Sequence, residues 1–232
     1  MAMGATATAT SGCTDPGADS HTLTWSWGDG TSTVQTVAAG EQGAVSAEHA
    51  YSATGLYAVT LTVTDDDGGT STRSYEYLVV YDGAGGFVTG AGTVQSPAGA
   101  VTARPTASGM AQLHFTARYR ADDPVPTGTM SYRLQAADLE VAATSYRWLL
   151  VGADGMAMAQ GDAVVDGAAG YAFLLAVDDG DITAKSEPDR LRLRVWRVAD
   201  GSVVYDTQRG AADGDAPTTA IRGGQVSVKA GG

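Results

Sequence analysis

The chain lacks almost everything that would cross-link or decorate it. A single cysteine, Cys13, among 232 residues excludes an internal disulfide. There is no asparagine, so no N-glycosylation sequon exists. No run approaches the roughly 20 consecutive apolar residues that cross a bilayer as a helix, which speaks against a transmembrane segment. Lysine occurs only at Lys185 and Lys229. Basic residues are nearly missing from the first third: residues 1–82 carry ten acidic side chains against one basic, Arg73, a net charge of −9. Residues 83–232 carry sixteen against thirteen, a net charge of −3. So negative a surface repels phosphate backbones, which sets nucleic acid aside as a partner. It suits calcium binding, or solubility in a salty extracellular medium. Met1-Ala2-Met3-Gly4 has neither the basic nor the apolar region of a signal peptide. It passes directly into an Ala/Thr alternation, as expected of a segment of a longer polypeptide.

Helical periodicity is missing as well. Residues 136–150 come nearest to an apolar stripe, enough for a short helical turn and no more. What the chain has in abundance is period-two alternation, interrupted by Gly, Asp and Pro. Val59-Thr60-Leu61-Thr62-Val63-Thr64 is the clearest run, with three apolar side chains on one face and three threonines on the other. Similar runs lie at Ala5–Thr10, Leu113–Tyr119, Met130–Leu134, Tyr171–Leu175 and Leu191–Val195. Short strands with polar turns predict an all-β chain of sandwiches or barrels. The side-chain-poor stretch Asp82-Gly83-Ala84-Gly85-Gly86 divides it, placing one domain at 1–82 and a second at 87–228, with Gly231-Gly232 as a tail.

The first domain carries an ordered series of motifs. Thr24-Trp25-Ser26-Trp27-Gly28-Asp29-Gly30-Thr31 is followed by His49-Ala50-Tyr51, then Gly55-Leu56-Tyr57-Ala58-Val59-Thr60-Leu61, then Val63-Thr64-Asp65-Asp66-Asp67-Gly68-Gly69. The series resembles the PKD domain, with Trp27 where that pattern usually has Phe and with a short or missing first strand. The resemblance implies an immunoglobulin-like β-sandwich on a secreted or cell-surface protein of bacterial or archaeal type. From the residues alone, Trp25 and Trp27 lie two apart and share one face of a strand, and Gly28-Asp29-Gly30 is a tight turn. Tyr57, Val59, Leu61 and Val63 are expected as the inner row of the facing sheet. His49 matches a structural position of the family, and no nucleophile signature accompanies it. Asp65, Asp66 and Asp67 read as turn-capping residues at a hairpin tip, with calcium as the alternative.

The second domain resembles a module that often follows PKD domains in secreted bacterial proteins, through Gly85–Gly92, Ser96–Ala100, Gly167–Gly180 and Asp189–Trp196. That module brings no activity with it. Eight to ten strands are expected, arranged as a larger jelly-roll-like β-sandwich. Arg190, Arg192 and Arg194 alternate with Leu191, Leu193 and Val195, so three guanidiniums share a face, with Arg118, Arg120 and Arg133 as candidate neighbours. They form a candidate ligand-binding row for sulfated or uronic polysaccharide, against the plainer reading of cross-strand pairing with acids of the same domain. Asp178, Asp179, Asp181, Glu187 and Asp189 are candidate metal ligands for calcium, against solvated loop residues. An acid–base pair of a glycosidase is disfavoured, because no aromatics accompany them.

These readings predict a non-catalytic pair of extracellular modules in a larger surface protein, a stalk followed by a cap or binding domain. The expected partners are other domains of the same polypeptide and a surface protein or polysaccharide, with no cofactor beyond calcium. The alternative is an accessory carbohydrate- or protein-binding region of a secreted hydrolase.

Overall fold

The computed structural model describes every residue except 14–18, 42, 83–85, 121–122, 124, 184–186 and 232, and the side chains of residues 13, 76, 77 and 183. The Gly83–Gly85 stretch that separates the two sequence domains therefore lies outside the described residues. Two compact units are present, Met1–Tyr81 and Asp82–Gly232.

The first unit contains strands β1 (Thr6–Cys13), β2 (His21–Ser26), β3 (Ser32–Val37), β4 (Gly43–Ala50), β5 (Gly55–Asp65) and β6 (Thr70–Val80). They form a four-stranded antiparallel sheet, β3-β2-β5-β6, and a two-stranded sheet, β1-β4. Alternation drives both: β2 buries Leu23 and Trp25 and turns Thr22 and Ser26 outward. Val59 and Leu61 do not face the tryptophans from across the sandwich. They neighbour them within one sheet, with Trp25 opposite Leu61 and Leu23 opposite Val63. The facing layer comes from the β1-β4 sheet, where Ala47, Val45, Ala7 and Ala9 join the same core. Two sheets closed over one core make an immunoglobulin-like sandwich.

The second unit contains β7 (Phe87–Ser96), β8 (Gly109–Arg118), β9 (Thr127–Leu134), β10 (Leu139–Val151), β11 (Met156–Val165), β12 (Ala168–Asp178), β13 (Arg190–Arg197), β14 (Val203–Asp206) and β15 (Thr219–Lys229). It is not a jelly roll. Strands β7 to β13 pair in sequence order, each antiparallel to the next, and β15 joins β13 to β7. The result is a closed eight-stranded barrel, with β14 added to the carboxyl half of β13. Jelly rolls need strands that cross between sheets, and nearest-neighbour pairing leaves none here. The near-helical segment at 136–150 is one 3-10 turn, Gln135–Ala137, followed by strand β10.

Eight strands leave an interior just wide enough for side chains. Phe115, Phe173, Tyr132, Leu134, Leu191, Leu193 and Val195 fill it. Gly90 makes room for this packing: a Cβ there would lie 2.5 Å from Phe115 Cζ. Strands β9 and β10 pair only from Leu139–Leu134 to Ala142–Ser131, after which β10 carries two register shifts against β11. Two phenols close the gap beyond. Tyr146 Oη donates to the carbonyls of Thr116 (3.0 Å) and Thr129 (2.9 Å). Tyr119 Oη donates to Leu149 O (2.9 Å) and accepts from Leu149 N (3.1 Å). Backbone groups that the ladder leaves unpaired thus find side-chain partners.

Candidate functional site

The motif residues of the first unit converge into one polar-aromatic cluster. At the turn after β2, Gly28 sits at φ 82°, and a Cβ would meet Ala58 O at 2.7 Å, so only glycine fits. Asp29 accepts hydrogen bonds from Thr31 N (3.0 Å), Thr31 Oγ1 (2.7 Å) and His49 Nε2 (2.7 Å). Those bonds, the Thr31 hydroxyl foremost, outweigh desolvation and hold the Asp29 carboxyl down at about 2. The His49 ring stacks on Trp27 at 5.0 Å and meets Tyr51 edge-on at 4.6 Å. Tyr51 stacks on Tyr57, and its hydroxyl donates to Trp27 O at 2.8 Å. Burial pushes the Tyr51 phenol up to about 12. Asp29, Thr31, His49, Trp27, Tyr51 and Tyr57 are each committed to another of the set, so their chemistry is that of a fastener. Residues 1–80 match the family model of the PKD domain. The first unit is a PKD domain. No curated protein and no solved structure matches the chain.

Outside that cluster, the PKD domain gathers Asp65, Asp66 and Asp67 at the β5–β6 tip, with carboxylate oxygens within 4.8 Å of one another. Alternation would have splayed them, but β5 ends at Asp65 and the chain turns there. Asp65 Oδ1 accepts from Asp67 N at 2.7 Å, and Asp66 Oδ2 from Ser20 Oγ at 3.2 Å. Three carboxylates partly engaged this way fall short of the six to eight oxygens calcium takes.

The five carboxylates of the barrel do not converge. Among the described residues, no group of three with metal-ligand geometry includes any of Asp178, Asp179, Asp181, Glu187 and Asp189. Asp178 and Asp189 bracket the β12–β13 connection, while Asp181 and Glu187 point to solvent. Asp179 Oδ2 accepts from Val228 N at 3.1 Å. Asp189 accepts from Gly180 N (2.9 Å) with one oxygen and from Val226 N with the other. The two inward carboxylates instead latch the connection to backbone amides of β15.

The arginine row is likewise engaged within the chain. Arg190 pairs with Glu187 at 2.8 Å. Arg192, only 1% exposed, forms a two-pronged pair with Asp206 (Nε–Oδ1 3.1 Å, Nη2–Oδ2 3.0 Å) and donates to the carbonyls of Ala211 and Ala212. Arg194 grips Asp213 at 2.6 Å and lies 5.3 Å from the Trp196 ring centroid. The segment after β14 thus folds over the outer face of β13, fastened by two guanidiniums. Asp206 and Asp213 escaped the sequence reading because nothing local marks them as partners of residues 14 and 19 positions earlier. Arg133 pairs with Glu140, and Arg118 sits on β8, three strands from β13, so neither joins the row.

Arg118 and Arg120 border a separate groove of about 590 Å³, with Thr89, Thr116, Thr127, Thr129 and Phe87. Phe87 is 38% exposed, with Lys229 Nζ 5.8 Å from its ring centroid. The barrel opens at Phe87 with its first side chain outward, because Val88 and Gly90 take the inward positions.

Proposed function

We propose that the chain is a non-catalytic pair of extracellular modules in which the PKD domain carries tension and the barrel serves as a cap. The observation that carries this is how each unit would meet a pulling force. In the PKD domain, Met1–Met3 runs parallel to the end of β6. Three backbone bonds join them: Met1 N to Val79 O (2.7 Å), Met3 N to Tyr81 O (2.8 Å) and Tyr81 N to Met1 O (3.0 Å). Force applied at Met1 and Tyr81 slides parallel strands past one another and loads all three bonds together.

The barrel has the opposite arrangement. Its first strand begins at Phe87 and its last ends at Lys229, and these two residues are antiparallel partners. Force applied there peels β7 from β15 one bonded pair at a time. Such a unit suits the end of a fibre better than its shaft. The family match supports an extracellular structural or adhesive role, and among the described residues no helix is long and apolar enough to cross a membrane. Tyr81→Pro removes the Tyr81 N–H to Met1 bond, so pulling the full-length variant tests the reading: the force that opens the PKD domain should fall.

A second reading is supported by the groove at Phe87, where an exposed ring, a threonine row and Arg118 and Arg120 are suited to an anionic polysaccharide. It is the arrangement expected of an accessory binding region of a secreted hydrolase. Retention of the chain on a uronic polysaccharide matrix, lost in Arg118→Ala with Arg120→Ala, would favour it.

A further inference from the structure

The outer wall of the barrel over β15, β7, β8 and β9 differs in charge from the rest of the chain. In a protein with 26 acidic residues and a net charge of −12, none of these four neighbouring strands contains Asp or Glu. They contain Arg118, Arg133, Arg222 and Lys229, all exposed, with an exposed His114 between them. Register sets the bases in two groups. Lys229 and Arg118 flank Phe87 in one cross-strand row, and Arg222, Thr93, Gln112 and Arg133 line up in another. Along β8 the rows are separated by the stretch from Arg118 to Gln112, which spans about 20 Å.

Three adjoining hollows connect the two groups. The groove of about 590 Å³ beside Arg118 reaches Thr89. A second hollow, of about 310 Å³, continues from Thr89 past His114 to Gly223. A third, of about 730 Å³, shares Gly92, His114 and Gly223 with the second and reaches Arg133. The trough is continuous because β15 bulges between Arg222 and Gln225, where Gly223 and Gly224 put no side chain into it. Gly224 has no alternative: a Cβ there would lie 1.9 Å from Ala91 O. Between the bases, Gln112, Ser131, Gln225 and Ser227 line the trough with neutral hydrogen-bonding groups. Glu140 of β10 borders the far end and pairs with Arg133 at 3.1 Å, but both side chains are more than half exposed, so the pair is easily exchanged.

We propose that this trough binds a linear polyuronate laid lengthwise along the strands, held by bases at both ends and by hydroxyls and amides between. The track contains the Phe87 groove, so it rests on the polysaccharide reading given above. The sign of the charge selects an anionic ligand. Its spacing selects the kind. Four bases over about 20 Å are far sparser than the one charge per about 1.7 Å of a DNA duplex, and a phosphate polymer would also meet the net −12 of the whole chain. A polyuronate carries one carboxylate per sugar with neutral hydroxyls between, the same alternation that the trough presents. Arginine takes a carboxylate with two parallel hydrogen bonds. Phe87 adds an exposed apolar ring for the face of a sugar at the Arg118 end.

The test titrates the full 232-residue protein calorimetrically with galacturonate oligomers, a dimer and a decamer. The dimer binds at the Phe87 end, and the decamer, which reaches both ends, binds more tightly. Arg133→Ala with Arg222→Ala weakens decamer binding about tenfold, the loss expected for charge-assisted hydrogen bonds, and leaves the dimer unchanged. Arg118→Ala with Arg120→Ala weakens both. Glu140→Gln, which releases Arg133, tightens the decamer. A carboxyl-reduced, neutral decamer does not bind, and that arm needs no variant. Decamer binding that Arg133→Ala with Arg222→Ala leaves unchanged overturns the track while the groove reading stands. Absence of binding by either oligomer overturns both. Equal binding of the carboxyl-reduced decamer overturns carboxylate recognition, and equal or tighter binding of polyphosphate overturns the sugar.

Discussion

Arg192 and Asp206 form a two-pronged ion pair on the outer wall of the barrel, sealed from solvent by the segment that follows β14. Their exposures are 1% and 4%. The pair ties β14 to β13 and offers no charge to a ligand.

Breaking the pair from one side leaves a buried charge without its partner. Arg192→Ala or Asp206→Ala should each cost about 3–5 kcal/mol, measured by urea unfolding. Replacing both with Leu should cost less than the two single losses added, because neither charge is then stranded. Additive costs would show that the two residues act separately.

The phenols at the β9–β10 gap make a sharper local prediction. Tyr119→Phe leaves the buried Leu149 N–H and C=O without their side-chain partner, at about 1–3 kcal/mol, and Tyr146→Phe, whose carbonyl partners are only partly buried, should cost less. Amide exchange separates them: Leu149 N–H, bonded to Tyr119 Oη at 3.1 Å, should exchange faster in Tyr119→Phe only. Faster exchange there in Tyr146→Phe as well would mean that the gap opens as one unit.

The Asp29 carboxylate gives the PKD domain an acid limit. Its folded pKa, about 2, lies below the ordinary 3.8. A depressed carboxyl stabilises the fold fully above the ordinary value, and that stability is lost as pH falls from about 4 to about 2. Thr31→Val removes the largest cause of the depression. Its stability relative to the parent should therefore fall at neutral pH and converge on the parent's near pH 2, in urea melts across that window.

Calcium should not stabilise the barrel through Asp179 and Asp189, since those carboxylates serve β15 amides. Asp189→Ala should lower the melting temperature equally in calcium and in chelator, with a loss of about 1–3 kcal/mol. A calcium-dependent rise in melting temperature that Asp179→Ala and Asp189→Ala abolish would restore the metal site.

How much was legible in the sequence depended on range. Trp25, Trp27, Gly28 and the Val59–Thr64 alternation set local faces and a turn, and their spacing carried the family resemblance. The closure of β15 on β7 joins Ile221 to Val94, and no alternation pattern encodes which strand lies beside which. Period two tells inside from outside in a sandwich and a barrel alike, so the jelly-roll expectation had no local signal to correct it. That the five carboxylates do not converge was hidden for a related reason. Nearness along the chain was read as convergence, while β15, some forty residues later, supplied the amides that two of them face. Pairing of Arg192 with an acid of its own domain was one of the two readings open, but which acid was not legible, since the partner lies on β14.

The central claim is that the PKD domain resists tension and the barrel does not. Pulling the full chain between its termini in an optical trap tests it directly. The account predicts two openings in fixed order: the barrel first, at low force, with the longer release of chain expected of Asp82–Gly232, then Met1–Tyr81 at higher force. Opening of the shorter unit first would contradict it.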